Sequence, residues 1–483
     1  MSGKVVIVGA GLTGLSAGIH LQKQGIGTES FELAPWAGGM CTAWERQGYR
    51  FDGCIHWMVG TRPGDPIRAL YQEVGALEEN TEIYNAPFMR LEIGGRMLEI
   101  PLEYEAFRAF LLKEAAGDPA VEAILRDVKR MAETEMPLGA PDSLPGLMRM
   151  LRKSRGFLAL AAKYTGKTVS QYLSGVKSEP VRQILTHLMP PEYSATALIM
   201  MLGTRLGGNA GYPMGGASEV TRRMVEKYAA LGGRLHLNAR VDEIVVEGNK
   251  ARGVRVKGEF VPADFVLAAC DAHGALKNLL GGKYPHPQLD GMLQSAPLFD
   301  PLLLVSYGLD RHFDIPYSVT YECPEGIATS PSTVSHALSL RSFDFDPSAA
   351  PEGGSSVMAM MEAPFEYWDL LRKNSPDEYK AQKQRLSEAV AAALDKRIPG
   401  FAASVRVRDV STPATYARLT GVYRASFEGF APVPASLKMN IQKTIPGLDG
   451  LRLCGQWTTA GGGICTAVYD GKTAAQKIRK ELK

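Results

Sequence analysis

The chain has 483 residues, 45% of them hydrophobic and 22% charged, and 54 Lys and Arg against 51 Asp and Glu leave a net charge of +3. That length suits two or three domains, and a balance this mild, with no basic run, argues against nucleic acid as a partner. Nowhere are there the roughly 18 uninterrupted apolar residues of a spanning helix, and six scattered cysteines without CxxC spacing or paired histidines argue against a metal centre or disulfide framework.

The N-terminal run from Lys4 to Val8 is rich in β-branched residues, as expected of a strand buried on both faces. It is broken by Gly9, Gly11 and Gly14, so it does not read as a signal peptide, and reduced thiols in the cytoplasm are the expectation. The run leads into Gly9-Ala10-Gly11-Leu12-Thr13-Gly14 and then an amphipathic helical pattern through Leu21. In such a turn the first glycine permits the bend, the second admits a pyrophosphate to the backbone, and the third lets helix and strand pack closely. The helix N-terminus then presents free N–H groups to the phosphates. A glycine turn alone is a weak signal. A second strand, Thr28 to Glu32, ends in an acid roughly 20 residues further on, where its carboxylate can accept hydrogen bonds from ribose hydroxyls. The acid would repel a 2′-phosphate, so the pattern predicts a dinucleotide other than NADP.

Two more segments follow, Pro35-Trp36-Ala37-Gly38-Gly39-Met40-Cys41 and Phe51-Asp52-Gly53-Cys54-Ile55-His56-Trp57-Met58. Helical patterns cover 106–116 and 121–135. From Ser143 to Ser178 there is no acid, while Arg149, Arg152, Lys153, Arg155, Lys163, Lys167 and Lys177 interleave with leucines, methionines and Phe157. This pattern suits an interfacial helix on an anionic membrane; a cap helix with one solvated face would read the same way. Gly211-Tyr212-Pro213-Met214-Gly215-Gly216 precedes a helix through Tyr228 and strand-like runs at 231–237, 241–246, 253–256 and 263–271. Further strands are expected at 302–309, 355–361 and 405–410, a helix at 377–397 and a loop at 345–356. Tyr416, Tyr423, Phe427 and Phe430 crowd the next stretch. Finally Leu451–Trp457 reads as a strand into a turn, and Gly461-Gly462-Gly463-Ile464 opens a helix running from Thr466 to about Lys480. No internal repeat or second dinucleotide fingerprint is present.

These segments together resemble the carotenoid (phytoene) desaturase, carotenoid isomerase and retinol saturase-like branch of the flavin amine-oxidase superfamily, over essentially the whole chain. The resemblance implies non-covalent FAD held by Gly9, Ala10, Gly11, Leu12, Thr13, Gly14 and Glu32. It adds Gly38, Gly39 and Met40 on the pyrophosphate, with Met40 standing where the family often has Arg. It also implies Val241 near the adenine, and Gly455, Gly462, Gly463 and Ile464 at the flavin pyrimidine edge. A thioether to Cys454 or Cys465 is not expected, because the local motif differs.

The fold implied is an α/β, two-lobed flavoprotein: a Rossmann-like FAD domain of parallel sheet plus β-meander, and a mixed α+β substrate lobe. The FAD domain would take 1–75, 205–280 and 440–483, and the substrate lobe 76–204 and 281–439, with 143–178 facing a membrane if the interfacial reading holds. The activity implied is hydride exchange between flavin N5 and an apolar polyene or isoprenoid-like substrate, giving saturation, desaturation or isomerisation at a carbon–carbon bond. His56 is the candidate proton carrier, and Trp57, Tyr416, Tyr423 and Phe427 are candidate walls of the substrate channel. A flavin amine oxidase and a non-catalytic flavin-binding scaffold are the alternatives. The electron partner, whether quinone, oxygen or another carrier, is left open by the motifs.

Overall fold

The structure, a computed structural model, describes residues 3–85, 87, 89–138, 143–439, 441–459 and 461–483. Lys4–Val8 is the middle strand of a five-stranded parallel sheet in the order Arg234–His236, Gly27–Phe31, Lys4–Val8, Phe265–Ala268, Leu451–Leu453. Its β-branched side chains are split between two cores by the alternation of the strand. Val5 and Ile7 meet Ala17 and Leu21 of helix Leu12–Lys23 and Ala474, Ala475 and Ile478 of helix Ile464–Glu481. Val6 and Val8 face the other way, against Val241, Ile244 and Val254. That second cover is a three-stranded antiparallel meander, Val241–Glu247, Lys250–Val256 and Glu259–Pro262.

The resemblance implies that the runs at 231–237 and 263–271 belong to the β-meander with 241–246 and 253–256; they lie instead in the parallel sheet. Arg234–His236 forms its edge, where the His236 ring stacks on Phe31 at 4.6 Å. Phe265–Ala268 is fully buried between Lys4–Val8 and Leu451–Leu453. An uninterrupted apolar run is what a strand covered on both faces requires.

The second lobe is built on a seven-stranded sheet in the order Val405–Ser411, Leu302–Leu309, Ser355–Glu362, Thr333–Ser342, Ser318–Ser330, Met89–Ile93, Arg96–Ile100. All its pairings are antiparallel except that of Ser318–Ser330 with Met89–Ile93. One core carries Leu303, Val305, Val319 and Leu340 against Trp368 and helix Pro376–Asp395. Another packs Leu91 and Leu98 against helices Tyr104–Ala115, Pro119–Ala132, Glu179–Leu188 and Ala195–Leu206. The last two helices went unpredicted.

The 143–178 stretch forms helices Leu144–Lys153, Arg155–Tyr164 and Val169–Tyr172. Leu160 and Tyr164 pack on Met131 and Ile199. Leu144–Lys153 buries none of its side chains, and Leu144 and Met148 stand 72% and 62% exposed. Among the described residues no helix is long and apolar enough to cross a membrane.

Candidate functional site

The glycine turn closes as its residue types demand. Gly9 has φ +97°, and a Cβ on Gly14 would stand 2.2 Å from the Gly9 carbonyl oxygen and 3.3 Å from Ile7. The third glycine is therefore the one that lets the first helix sit on its strand. Gly38 donates to the carbonyl of Ala10 at 2.9 Å and bridges Gly11, while a Cβ on Gly39 would come within 3.3 Å of the Gly11 Cα. The two glycine segments thus lie backbone to backbone. The Glu32 carboxylate is buried beside them and accepts from the amides of Ala10 at 2.7 Å and Ala34 at 2.9 Å. Burial raises its pKa and these amides oppose the rise.

Val241 is buried close by, since the amide of Ala239 donates to the Glu32 carbonyl at 2.8 Å. Met40 packs on the same core, and its sulfur accepts from the Thr420 hydroxyl at 3.6 Å. Met40 stands where the resemblance leads one to expect arginine. Leu12 and Thr13 open the first helix, and a Cβ on Gly455 would lie 3.6 Å from the Thr13 Oγ1. The N-terminal turn and the C-terminal strand end therefore meet across some 440 residues of sequence. The Gly455 amide donates to Asp470 at 2.7 Å, and that carboxylate is paired with Lys443.

These groups fit a dinucleotide. The first helix begins at Gly11, and Ile464–Glu481 at Gly463, neither with a side-chain cap. Asp65, Glu103, Asp118, Ser178 and Ser194 cap other helices of the chain. Two helix N-termini with free N–H groups, one at each end of the glycine cradle, suit the phosphates and an electron-rich ring edge. A Cβ on Gly463 would meet nothing within 4 Å, so the start of the C-terminal helix is open to a ligand. Gly462 and Ile464 flank it.

Asp52, singled out only as part of a motif, organises the next wall. It is wholly buried and accepts from the amides of Cys54 and Ile55 at 2.9 Å each, from the Ala217 amide at 2.8 Å and from the Tyr212 hydroxyl at 3.0 Å. A Cβ on Gly216 would stand 2.1 Å from this carboxylate, which explains the paired glycines of the Gly-Tyr-Pro-Met-Gly-Gly segment. Held this way, the 54–57 segment presents His56 and Trp57, and the His56 carbonyl accepts from the Tyr317 hydroxyl. Burial and then the nearby Arg341 charge lower the pKa of His56 to about 3. Its imidazole is therefore neutral at ordinary pH.

Sequence reasoning missed Glu428. Its carboxyl lies against the C-terminal glycines, where a Cβ on Gly462 would meet the Glu428 Cβ at 2.8 Å. Its charge also reaches Cys54 and Cys465. Among the described residues it has no hydrogen-bond partner, and burial raises its pKa to about 7. A lone Glu among aromatics gives no periodic or motif signal, so only the fold exposes it.

The four expected channel residues are not brought together. Trp57 lines a cavity of about 150 Å³ on the helical side of the second lobe. Tyr416 is half-buried at the junction of two cores. Tyr423 stacks on His273 at 4.0 Å and meets Trp457 edge-on, while Phe427 packs on Phe299 at 5.0 Å.

A profile of the flavin containing amine oxidoreductases matches residues 12–479, and the chain belongs to that family. It is an FAD-dependent oxidoreductase. It is 25% identical to the lycopene-forming phytoene desaturase of Pseudescherichia vulneris, covering 99% of both chains. Identity to the chloroplastic prolycopene isomerase of Arabidopsis thaliana is 23%, over 99% of this chain and 82% of the relative. The all-trans-retinol 13,14-reductase of Danio rerio is 22% identical, over 93% of this chain and 82% of the relative. Among solved structures, a redesigned putrescine oxidase shares the fold with a TM-score of 0.64 at 18% identity, covering 99% of both chains.

Proposed function

We propose that the protein forms, removes or isomerises a carbon–carbon double bond in an apolar, polyene or isoprenoid-like substrate. The observation that carries this reading is Glu428, a half-buried carboxyl without a hydrogen-bond partner among the described residues, poised near neutrality where the 54–57 segment and the C-terminal glycines converge. Relatives named for desaturation, isomerisation and reduction of polyenes, each matched over nearly the whole chain, supply the substrate class. FAD, when bound, supplies hydride exchange at its N5. Glu428 holds or releases the accompanying proton, since a pKa near the working pH suits both directions. His56, kept neutral, serves as a wall and hydrogen-bonding group, and Trp57 excludes water beside it. The FAD-binding unit is assigned to 1–75, 205–280 and 440–483, which supply all five parallel strands and the meander. The remainder forms the substrate lobe.

The exposed apolar stripe of Leu144, Met148 and Leu151, flanked by Arg149, Arg152 and Lys153, supports peripheral docking on an anionic membrane, from which an apolar substrate can be drawn. An amine oxidase is less well supported, because Lys443, which the fold brings to the Gly455 turn, is paired with Asp470. The test is anaerobic mixing of flavin-loaded protein with neutral polyenes and, separately, with simple amines. A shift in the polyene absorbance, lost in Glu428→Gln, is expected. Flavin bleaching by amines alone would sink the proposal.

A further inference from the structure

Cys41 and Cys54 stand at the open end of a two-stranded hairpin, Ala43–Arg46 and Tyr49–Asp52, whose last paired residues are Ala43 and Asp52. The ladder runs one step further, because the Gly53 amide donates to the Thr42 carbonyl at 3.2 Å. Continuing that register sets Cys41 opposite Cys54. Opposed residues of antiparallel strands have Cα atoms about 4.5–5.5 Å apart, inside the roughly 4.4–6.8 Å that a disulfide spans. Both side chains are free thiols packed in one core, Cys41 buried and Cys54 half-buried, and the Cys54 thiol hydrogen-bonds Cys41.

The meeting of the two sulfurs does not rest on the hairpin alone. The Cys41 carbonyl accepts from the Thr221 hydroxyl at 3.1 Å, and Asp52, which holds the Cys54 amide at 2.9 Å, accepts from the Ala217 amide at 2.8 Å. Ala217 and Thr221 are neighbours one turn apart on helix Gly216–Ala230, so a single rigid element holds the backbone at both cysteines. The hydrogen bond to Cys41, and then burial, push the Cys54 thiol well above the usual range. Cys54 is therefore the thiol that keeps and donates its proton, and Cys41 the sulfur left to attack. Cys465, the other thiol on this core, turns to the Thr466 hydroxyl at 3.9 Å. Cys41 closes the Gly38-Gly39-Met40 arm of the cradle, which lies against Gly11, and Cys54 opens the segment that presents His56 and Trp57. A bond between them would tie that arm to the wall beside it.

We propose that Cys41 and Cys54 are a redox-active pair that closes to a disulfide by exchange with a low-molecular-weight disulfide, and that the closed bond slows the loss of FAD. The Cys41 thiol gives its proton to solvent, and its sulfur attacks one sulfur of the small disulfide, releasing one small thiol and leaving a mixed disulfide. The Cys54 sulfur then displaces the second small thiol. Two protein S–H bonds and the small S–S bond break, one protein S–S bond forms, and the protein's two electrons and two protons leave with the two small thiols. Release of FAD requires the 38–41 arm to lift from Gly11, and once bonded that arm must drag the 54–57 segment, which Asp52 anchors. The inference needs the FAD of this family but not the polyene reading.

The experiment equilibrates the full-length, FAD-loaded protein in glutathione buffers from fully reduced to fully oxidised. Each sample is quenched in acid, unfolded, alkylated and mapped by peptide mass, and FAD release is followed in parallel by the rise of flavin fluorescence on dilution. A Cys41–Cys54 peptide, lighter by two hydrogens and free of alkylation, is expected to replace the two alkylated thiols as the buffer becomes oxidising. FAD release should be at least about threefold slower from the oxidised protein, since the bond holds the cradle in its binding geometry. Cys54→Ser and Cys41→Ala should show no link and no difference in release between the two buffers. Each variant is compared with itself, so a baseline altered by packing does not imitate the result. Thiols that stay alkylatable in the fully oxidised buffer, a mixed disulfide with glutathione that never resolves, or a bond from either residue to Cys465 would overturn the inference. So would a Cys41–Cys54 bond that leaves FAD release unchanged or faster.

Discussion

Gly471→Ala sets two effects of opposite sign against each other. Gly471 is buried in helix Ile464–Glu481, where an alanine would by intrinsic propensity stabilise the helix by about 1 kcal/mol. Its added Cβ, however, would stand 2.4 Å from the Thr13 carbonyl oxygen and 2.8 Å from the Ala17 amide nitrogen, both in helix Leu12–Lys23. Ordinary contact begins about 1 Å further out, and both obstacles are backbone, so the two helices must separate. Overpacking of this kind costs about 1–3 kcal/mol, with the upper end apt where no side chain can rotate away. The net expectation is destabilisation of about 1–2 kcal/mol and a fall in Tm of a few degrees. The same separation pulls Thr13 from Gly455, so FAD retained per chain after gel filtration should drop as well. Gly291→Ala is the control: Gly291 lies in helix Pro287–Ser295, and its Cβ would meet nothing within 4 Å, so it should hold or raise Tm. A Gly471→Ala protein at least as stable as the parent and full of FAD would refute the close-packing argument.

The folded pKa of Glu428, raised to about 7, lies above the usual carboxylate value. Its contribution to stability is therefore fully present below about pH 4.5 and is lost as pH rises through 7, and Glu428→Gln should remove this part of the stability–pH curve. Turnover that relies on Glu428 as a base should climb between about pH 6 and 8 in the parent and not in the variant. Co-sedimentation with anionic vesicles should be strong at low salt and weak at high salt, since each basic residue contributes about 1 kcal/mol near such a surface. Leu144→Ser with Met148→Ser should weaken it at both, and no sedimentation at any salt would end the membrane reading.

The cofactor half was legible because its signals are local. The glycine turn, Glu32 and the C-terminal glycines each announce backbone geometry within a few residues, and the fold places them against one another. Arg234–His236 was misassigned because a short edge strand carries no pattern distinguishing parallel from antiparallel neighbours. Helices Glu179–Leu188 and Ala195–Leu206 passed unnoticed; the second is apolar nearly all round, so it shows little amphipathic period. Glu428 and the Cys41–Cys54 pair could not have been found, since their chemistry lies in what surrounds them. Arg341 reads in the sequence as one outward charge on an alternating strand, and only the sheet register turns it towards a cavity.

The chain order of the parallel sheet bears on how the protein comes into being. Lys4–Val8 and Gly27–Phe31 precede their flanking neighbours in the sheet, Phe265–Ala268 and Arg234–His236, by more than 200 residues, and Leu451–Leu453 is later still. At about 5–20 residues per second, the apolar first strand waits on the order of half a minute to a minute and a half for the helix that closes its cradle. During synthesis that strand pair is an open edge in need of shielding. The glycine cradle gains Gly455 and the open N-terminus of Ile464–Glu481 only after these strands are made, so ligand binding there can stabilise the chain only from that point on.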